Sequence, residues 1–169
     1  MHHSEGNDSP GEHERHSQRG MAAVELGLFA EAIEDLTAAI RLNPNCFCGY
    51  FGRGIAYDNL GQHAKAISDL AEAIPLASGR SGVLADMRFY RGLAHAKLGQ
   101  RHEAISELTE AIRLVPEYAH AYRARGMVYK QLGKTESALN DLSEAIRIRP
   151  GYSEAYANRA AILFRLASI

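Results

Sequence analysis

Apolar and small residues recur along this chain at helical spacing, in blocks that repeat. In the segment 30–42, Ala32, Leu36, Ala39 and Ile40 fall on one face, while Glu31, Glu34, Asp35 and Arg41 fall on the others. The phrase EAIEDLTAAI returns as KAISDLAEAI, EAISELTEAI and SALNDLSEAI. Each copy follows a pair of glycines seven residues apart: Gly20 and Gly27, Gly54 and Gly61, Gly92 and Gly99, Gly126 and Gly133. The interval between first glycines is 34 residues, except for 38 between Gly54 and Gly92. A period in this range predicts stacked two-helix units, each burying its apolar face against its neighbours. The clearest unit is Ala119–Tyr152, one helical hairpin.

That unit places Tyr122, Gly126, Tyr129, Ala138, Leu142, Ala145 and Pro150 at the large, small and proline positions of a known pattern. It resembles the tetratricopeptide repeat (TPR), and the resemblance runs over about nine-tenths of the chain. The implied fold is all-α, a right-handed α-solenoid of TPR helical hairpins. The implied role is a scaffold that binds other proteins. On this pattern the chain divides into a disordered tail (1–12), TPR 1 (13–46), TPR 2 (47–84, with four inserted residues), TPR 3 (85–118), TPR 4 (119–152) and a final A helix (153–169).

Departures from the pattern are local. His16 and Arg88 stand where a large apolar residue is expected. Pro44 ends the first hairpin, Pro75 comes early, and Leu76–Leu84, with Gly79, Ser81 and Gly82, reads as a loop or an extended helix start. Cys46 and Cys48 are one residue apart, a spacing that disfavours a mutual disulfide, so both read as small interface residues.

Net charge is −1, from 19 Lys and Arg against 20 Asp and Glu, so the balance argues against nucleic acid or an acidic membrane as partner. No apolar run approaches a membrane span, and the N-terminal stretch lacks the apolar segment of a signal peptide, which predicts a cytoplasmic protein. No phosphate-cradling loop, nucleophile elbow, or zinc spacing of Cys and His appears. The reading is therefore a non-enzyme without cofactor or metal.

Two periodic features carry the remaining information. Arg19, Arg53, Arg91 and Arg125 each precede the first glycine, and Asp35, Asp69, Glu107 and Asp141 each lie sixteen residues further on. This offset predicts an Arg–carboxylate link between the helices of each repeat, or with the neighbouring repeat. Arg159 continues the series without an acid. The second feature follows from the resemblance, which places successive A helices along a concave groove. Phe51, Ile55, Phe89, Tyr90, Leu93 and Met127 then form an apolar stripe, with Arg123 and Lys130 toward one end. This suits a partner's peptide or amphipathic helix with apolar anchors. The Lys and Asn residues of the family's chaperone carboxylate clamp are missing, because Phe51, Ile55, Tyr90, His120 and Ala124 occupy those positions.

The alternative reading is self-association. The last helix keeps Ile162, Phe164, Leu166 and Ile169 without a following helix, which predicts a homodimer through that surface or through the groove.

Overall fold

The computed structural model describes residues 11–168, and among them the chain is all-helical. The elements are α1 (Glu12–Glu25), α2 (Phe29–Leu42), α3 (Phe47–Asn59), α4 (His63–Leu76), α5 (Ser81–Lys97), α6 (Arg101–Leu114), α7 (Ala119–Gln131), α8 (Thr135–Ile148) and α9 (Ser153–Ala167). The chain divides into two compact units, one ending at Ala77 and the other beginning at Ser78. The first holds the hairpins α1–α2 and α3–α4. The second holds α5–α6, α7–α8 and α9.

Each hairpin closes on one leucine and two alanines of the repeated phrase. Leu36, Leu70, Leu108 and Leu142 are fully buried, as are Ala32, Ala66, Ala104 and Ala138 one turn earlier. Burying one such leucine contributes about 1.5–3 kcal/mol. The small residues let the helix axes approach. A Cβ built on Gly126 would sit 3.2 Å from the Ala138 carbonyl oxygen and 3.3 Å from Leu142 Cγ, so a side chain there would force the helices apart. The second glycine of each pair ends its helix. Gly133 has φ +72°; its N–H bonds to Lys130 O, and Lys134 N–H bonds to Tyr129 O. This pair of bonds satisfies terminal carbonyls and needs a left-handed residue.

Two sequence readings are corrected, the state of the two cysteines and the end of the tail, and two others are made definite. Cys46 and Cys48 are joined as a disulfide, with Cα atoms 5.5 Å apart. Cys46 is the extended residue before α3 and Cys48 lies in its first turn, and this corner brings the two side chains within reach. Pro75, which comes early, lies in the last turn of α4, and the helix runs through it to Leu76. A proline in the last turn forfeits one backbone bond at a place where the helix stops anyway. The inserted stretch divides between a short turn, 77–80, and an early start of α5, which is 17 residues long against 13 in α3 and α7. Of the expected tail, residues 1–10 lie outside the described residues and Glu12 opens α1.

Candidate functional site

All four Arg–acid links form, each within its own hairpin, but they are of two kinds. Arg53 gives Nε and Nη2 to the two oxygens of Asp69, and Arg125 does the same to Asp141, at 2.7–2.8 Å. The third nitrogen, Nη1, donates to a hydroxyl sixteen residues back, Thr37 for Arg53 and Thr109 for Arg125. Two tyrosine rings flank each guanidinium: Tyr50 and Tyr57 for Arg53, Tyr122 and Tyr129 for Arg125.

In the other two hairpins the first tyrosine is replaced by His16 or Arg88, and the replacement shares the acid. His16 Nδ1 lies 3.1 Å from Asp35 Oδ1, beside the Arg19 contacts. Arg88 Nη1 reaches both Glu107 oxygens, and Arg91 uses only Nη2, at 2.5 Å. Arg91 Nε is left buried without a partner. The apparent pattern breaks at His16 and Arg88 are thus polar substitutes that bind the same carboxylate. These links hold hairpins together and are structural.

The second unit carries a different cluster along its A helices. Five rings follow one another: Tyr90 against Phe89 (5.4 Å between centroids), Phe89 against Tyr118 (5.1 Å), Tyr118 near His120 (6.5 Å) and His120 against Tyr152 (4.9 Å). Tyr118 Oη donates to Asp86 Oδ1 at 2.6 Å, and burial followed by this bond keeps its hydroxyl protonated far above the usual range. Thirty-four residues on, His120 and Tyr152 take the places of Asp86 and Tyr118, again 32 apart, and the chemistry reverses. His120 Nδ1 lies 2.7 Å from Tyr152 Oη, Arg123 Nε donates to the same oxygen at 2.6 Å, and Arg149 Nη1 lies 3.2 Å from His120 Nε2.

An arginine can only donate, so Nε2 of His120 accepts and Nδ1 carries the proton. Tyr152 Oη then accepts two hydrogen bonds. Burial, then the positive charges of Arg149 and Arg123, push the His120 pKa below its ordinary value, and Glu154 opposes them more weakly. Both guanidiniums also lie over the Tyr152 ring, at 5.5 Å for Arg123 and 5.2 Å for Arg149. This end of the ring row is a neutral histidine held between two cations, a setting that favours an anion.

Of the residues expected to contact a ligand, Phe89, Tyr90 and Arg123 belong to this row. Leu93 lies next to Phe89 and, like it, packs in part against the α6–α7 core. Met127 is half-buried on α7. Lys130 lines a separate shallow pocket with Ile162, Arg165 and Leu166. Phe51 and Ile55 are half-buried on α3 in the first unit. Sequence reasoning missed Tyr118 and Tyr152, which immediately precede the A helices α7 and α9, and Arg149, which follows the B helix α8. The recurrence of tyrosine at 118 and 152, one period apart, was the available signal.

On α9, Ile162 is buried in the core of its unit with Leu142 and Ala155, so it is not available to a second chain. Phe164 is 77% exposed and Leu166 49%. Ile169 lies outside the described residues. No described helix is long and apolar enough to cross a membrane.

The tetratricopeptide repeat family matches residues 17–81 and 89–153, and the chain belongs to that family. Comparison with curated proteins gave no match. Among solved structures, a chain of the APC/C hetero-tetramer Cut9–Hcn1 is similar at 23% identity with a TM-score of 0.85, over 90% of this chain but only 30% of that one. A structure of MamA is 26% identical with a TM-score of 0.77, over 88% of this chain and 84% of that one. YrrB, described as a TPR protein with an unusual peptide-binding site, is 18% identical with a TM-score of 0.71, over 90% of this chain and 76% of that one. The fold is a TPR helical repeat, and this fold supports a protein–protein interaction scaffold.

Proposed function

We propose that this protein binds a peptide or helical segment of a partner protein along its A helices, with an acidic group of the partner at His120, Arg123 and Arg149. The observation that carries this reading is the ring row from Tyr90 to Tyr152 with two guanidiniums at its end. Phe89 and Tyr90 offer apolar contact, with Leu93 and Met127 beside them. Arg123 spends Nε on Tyr152, which leaves its two terminal nitrogens for a carboxylate or phosphate. Within the first unit, Phe51 and Ile55 on α3 offer apolar contact of the same kind. The family's chaperone clamp is not the mode proposed, since its Lys and Asn residues are absent from these positions.

Peptide selection on the intact chain tests this. Selected peptides should carry an acidic residue at a fixed distance from apolar anchors. Their affinity should fall about tenfold for Arg123→Gln, the loss of one charged hydrogen-bonded contact, and also for Phe89→Ala. Peptides without acid preference, or indifferent to both variants, would refute it.

Self-association through α9 is the second reading, favoured by the exposure of Phe164 and Leu166. Light scattering over a concentration series should then show a dimer that Phe164→Glu/Leu166→Glu converts to a monomer.

A further inference from the structure

The place held by His120, Arg123, Arg149 and Tyr152 occurs once more in the second unit, 34 residues earlier, with the opposite charge. There the same four positions hold Asp86, Phe89, Val115 and Tyr118. Tyr118 packs on Phe89 at 5.1 Å between centroids and donates to Asp86. A tyrosine is thus seated at this position without any arginine, so packing alone does not call for Arg123 and Arg149 beside Tyr152. One negative charge has become two positive ones at the same place in the repeat.

The polar contacts run in one chain, from Arg149 to His120, from His120 to Tyr152, and from Arg123 to Tyr152. Each guanidinium spends one nitrogen on this chain and keeps a two-pronged edge. For Arg123 that edge is Nη1 and Nη2, and for Arg149 it is Nε and Nη2. These four nitrogens meet no acceptor among the described residues. Tyr152 is 3% exposed; its oxygen accepts two bonds, and its own proton meets no acceptor among the described residues either. Glu154, whose charge reaches both arginines, is exposed and bonded to Ser153 Oγ, and it forms no ion pair with them among the described residues.

Such a set of donors calls for acceptors, and their number decides the ligand. A carboxylate has two oxygens, which one guanidinium edge uses up. A phosphate monoester has three terminal oxygens and a charge of about −1.5 to −2 at pH 7. It meets both edges by sharing one oxygen between them, and it balances both arginines.

We infer that this site receives a phosphorylated side chain of the bound partner segment. The inference rests on the peptide-binding reading above and names its acidic group. The phosphate closes on the Nη1–Nη2 edge of Arg123 and the Nε–Nη2 edge of Arg149, and the Tyr152 hydroxyl donates between them.

The test presents the whole chain with three peptide libraries that differ only at a fixed central residue, phosphoserine, glutamate or serine. Selected phosphoserine peptides should bind about tenfold or more tighter than their glutamate counterparts. Arg149→Gln should bring them down to the glutamate level, and Glu154→Gln should tighten them. Both changes fall on exposed side chains, so melting curves should match wild type. Equal binding of phosphoserine and glutamate peptides, with both weakened by Arg123→Gln, overturns the phosphate and keeps the acidic peptide. Indifference to the central residue overturns both readings. A phosphoserine preference that survives Arg149→Gln overturns this site. Inorganic phosphate that binds as tightly as the selected phosphopeptide, read from the His120 ring protons, overturns the partner side chain in favour of the free anion.

Discussion

Hairpins α5–α6 and α7–α8 share the same Arg-to-acid offset, yet they surround it differently. In α7–α8 one cation faces one carboxylate between two tyrosine rings, and every nitrogen of Arg125 has an acceptor. In α5–α6 two cations share Glu107, and one buried nitrogen of Arg91 goes unmet. The first unit repeats the contrast, α3–α4 being sealed and α1–α2 shared. A one-to-one buried pair is costly to break, because its survivor is left charged and dry. A shared acid keeps a partner when one is lost. The residue three before the arginine goes with the arrangement, tyrosine where the pair is sealed and His16 or Arg88 where it is shared, and the second tyrosine is absent there too, with Ala23 and His95 in its place.

The largest expected effect is Arg125→Ala, which strands Asp141, a carboxylate with 9% exposed side chain, and should cost about 3 kcal/mol. Arg91→Ala should cost less than Arg125→Ala, because Arg88 still holds Glu107. Urea unfolding of both variants checks this, and equal losses would break the distinction. Next, Arg88→Tyr should convert the shared site into a sealed one. In that background Arg91→Ala should cost about 1–2 kcal/mol more than in wild type, read as the coupling of a double-mutant cycle. Simple additivity would mean that the tyrosine is not what seals the pair.

A smaller effect is set by pH. The bond from Arg19, helped by His16, holds the Asp35 pKa below its unfolded value of 3.8. Its contribution is present above that pH and is lost as pH falls through the folded pKa. The difference in melting temperature between wild type and Asp35→Asn should therefore shrink toward zero between pH 5 and pH 2. The smallest effect belongs to His120, whose pKa is depressed from 6.5. Its neutral form is the one the fold accommodates, so stability should decline slightly as pH drops below 6.5 toward the folded pKa. His120→Gln should flatten that slope between pH 7.5 and pH 5. A bound anionic peptide should raise the His120 pKa, visible in its ring proton shifts.

Much of the fold was legible because the repeat states it four times. The buried alanines and leucines, the left-handed glycines and the Arg–acid pairs all sit where periodicity puts them. The inserted residues were less legible. Both a loop and a helix start satisfied Gly79, Ser81 and Gly82, and the backbone used each in part. Cys46 and Cys48 were misread because spacing alone does not say that the chain turns from extended to helical between them. Among site residues, Phe89 and Arg123 were visible from their A-helix positions. Tyr118, Tyr152 and Arg149 were not, because a pattern built on A helices has no place for residues that return from the end of a B helix.

The sequence by itself determined the helical period, the hairpin unit, which residues cross closely and which charges pair, since these follow from spacing along one chain and hold in every copy. Only the tertiary structure decided how each charge is surrounded, which rings touch, and that Arg123 and Arg149 meet at Tyr152. Those depend on what neighbouring helices bring to the same place, and at that level near-identical repeats diverge.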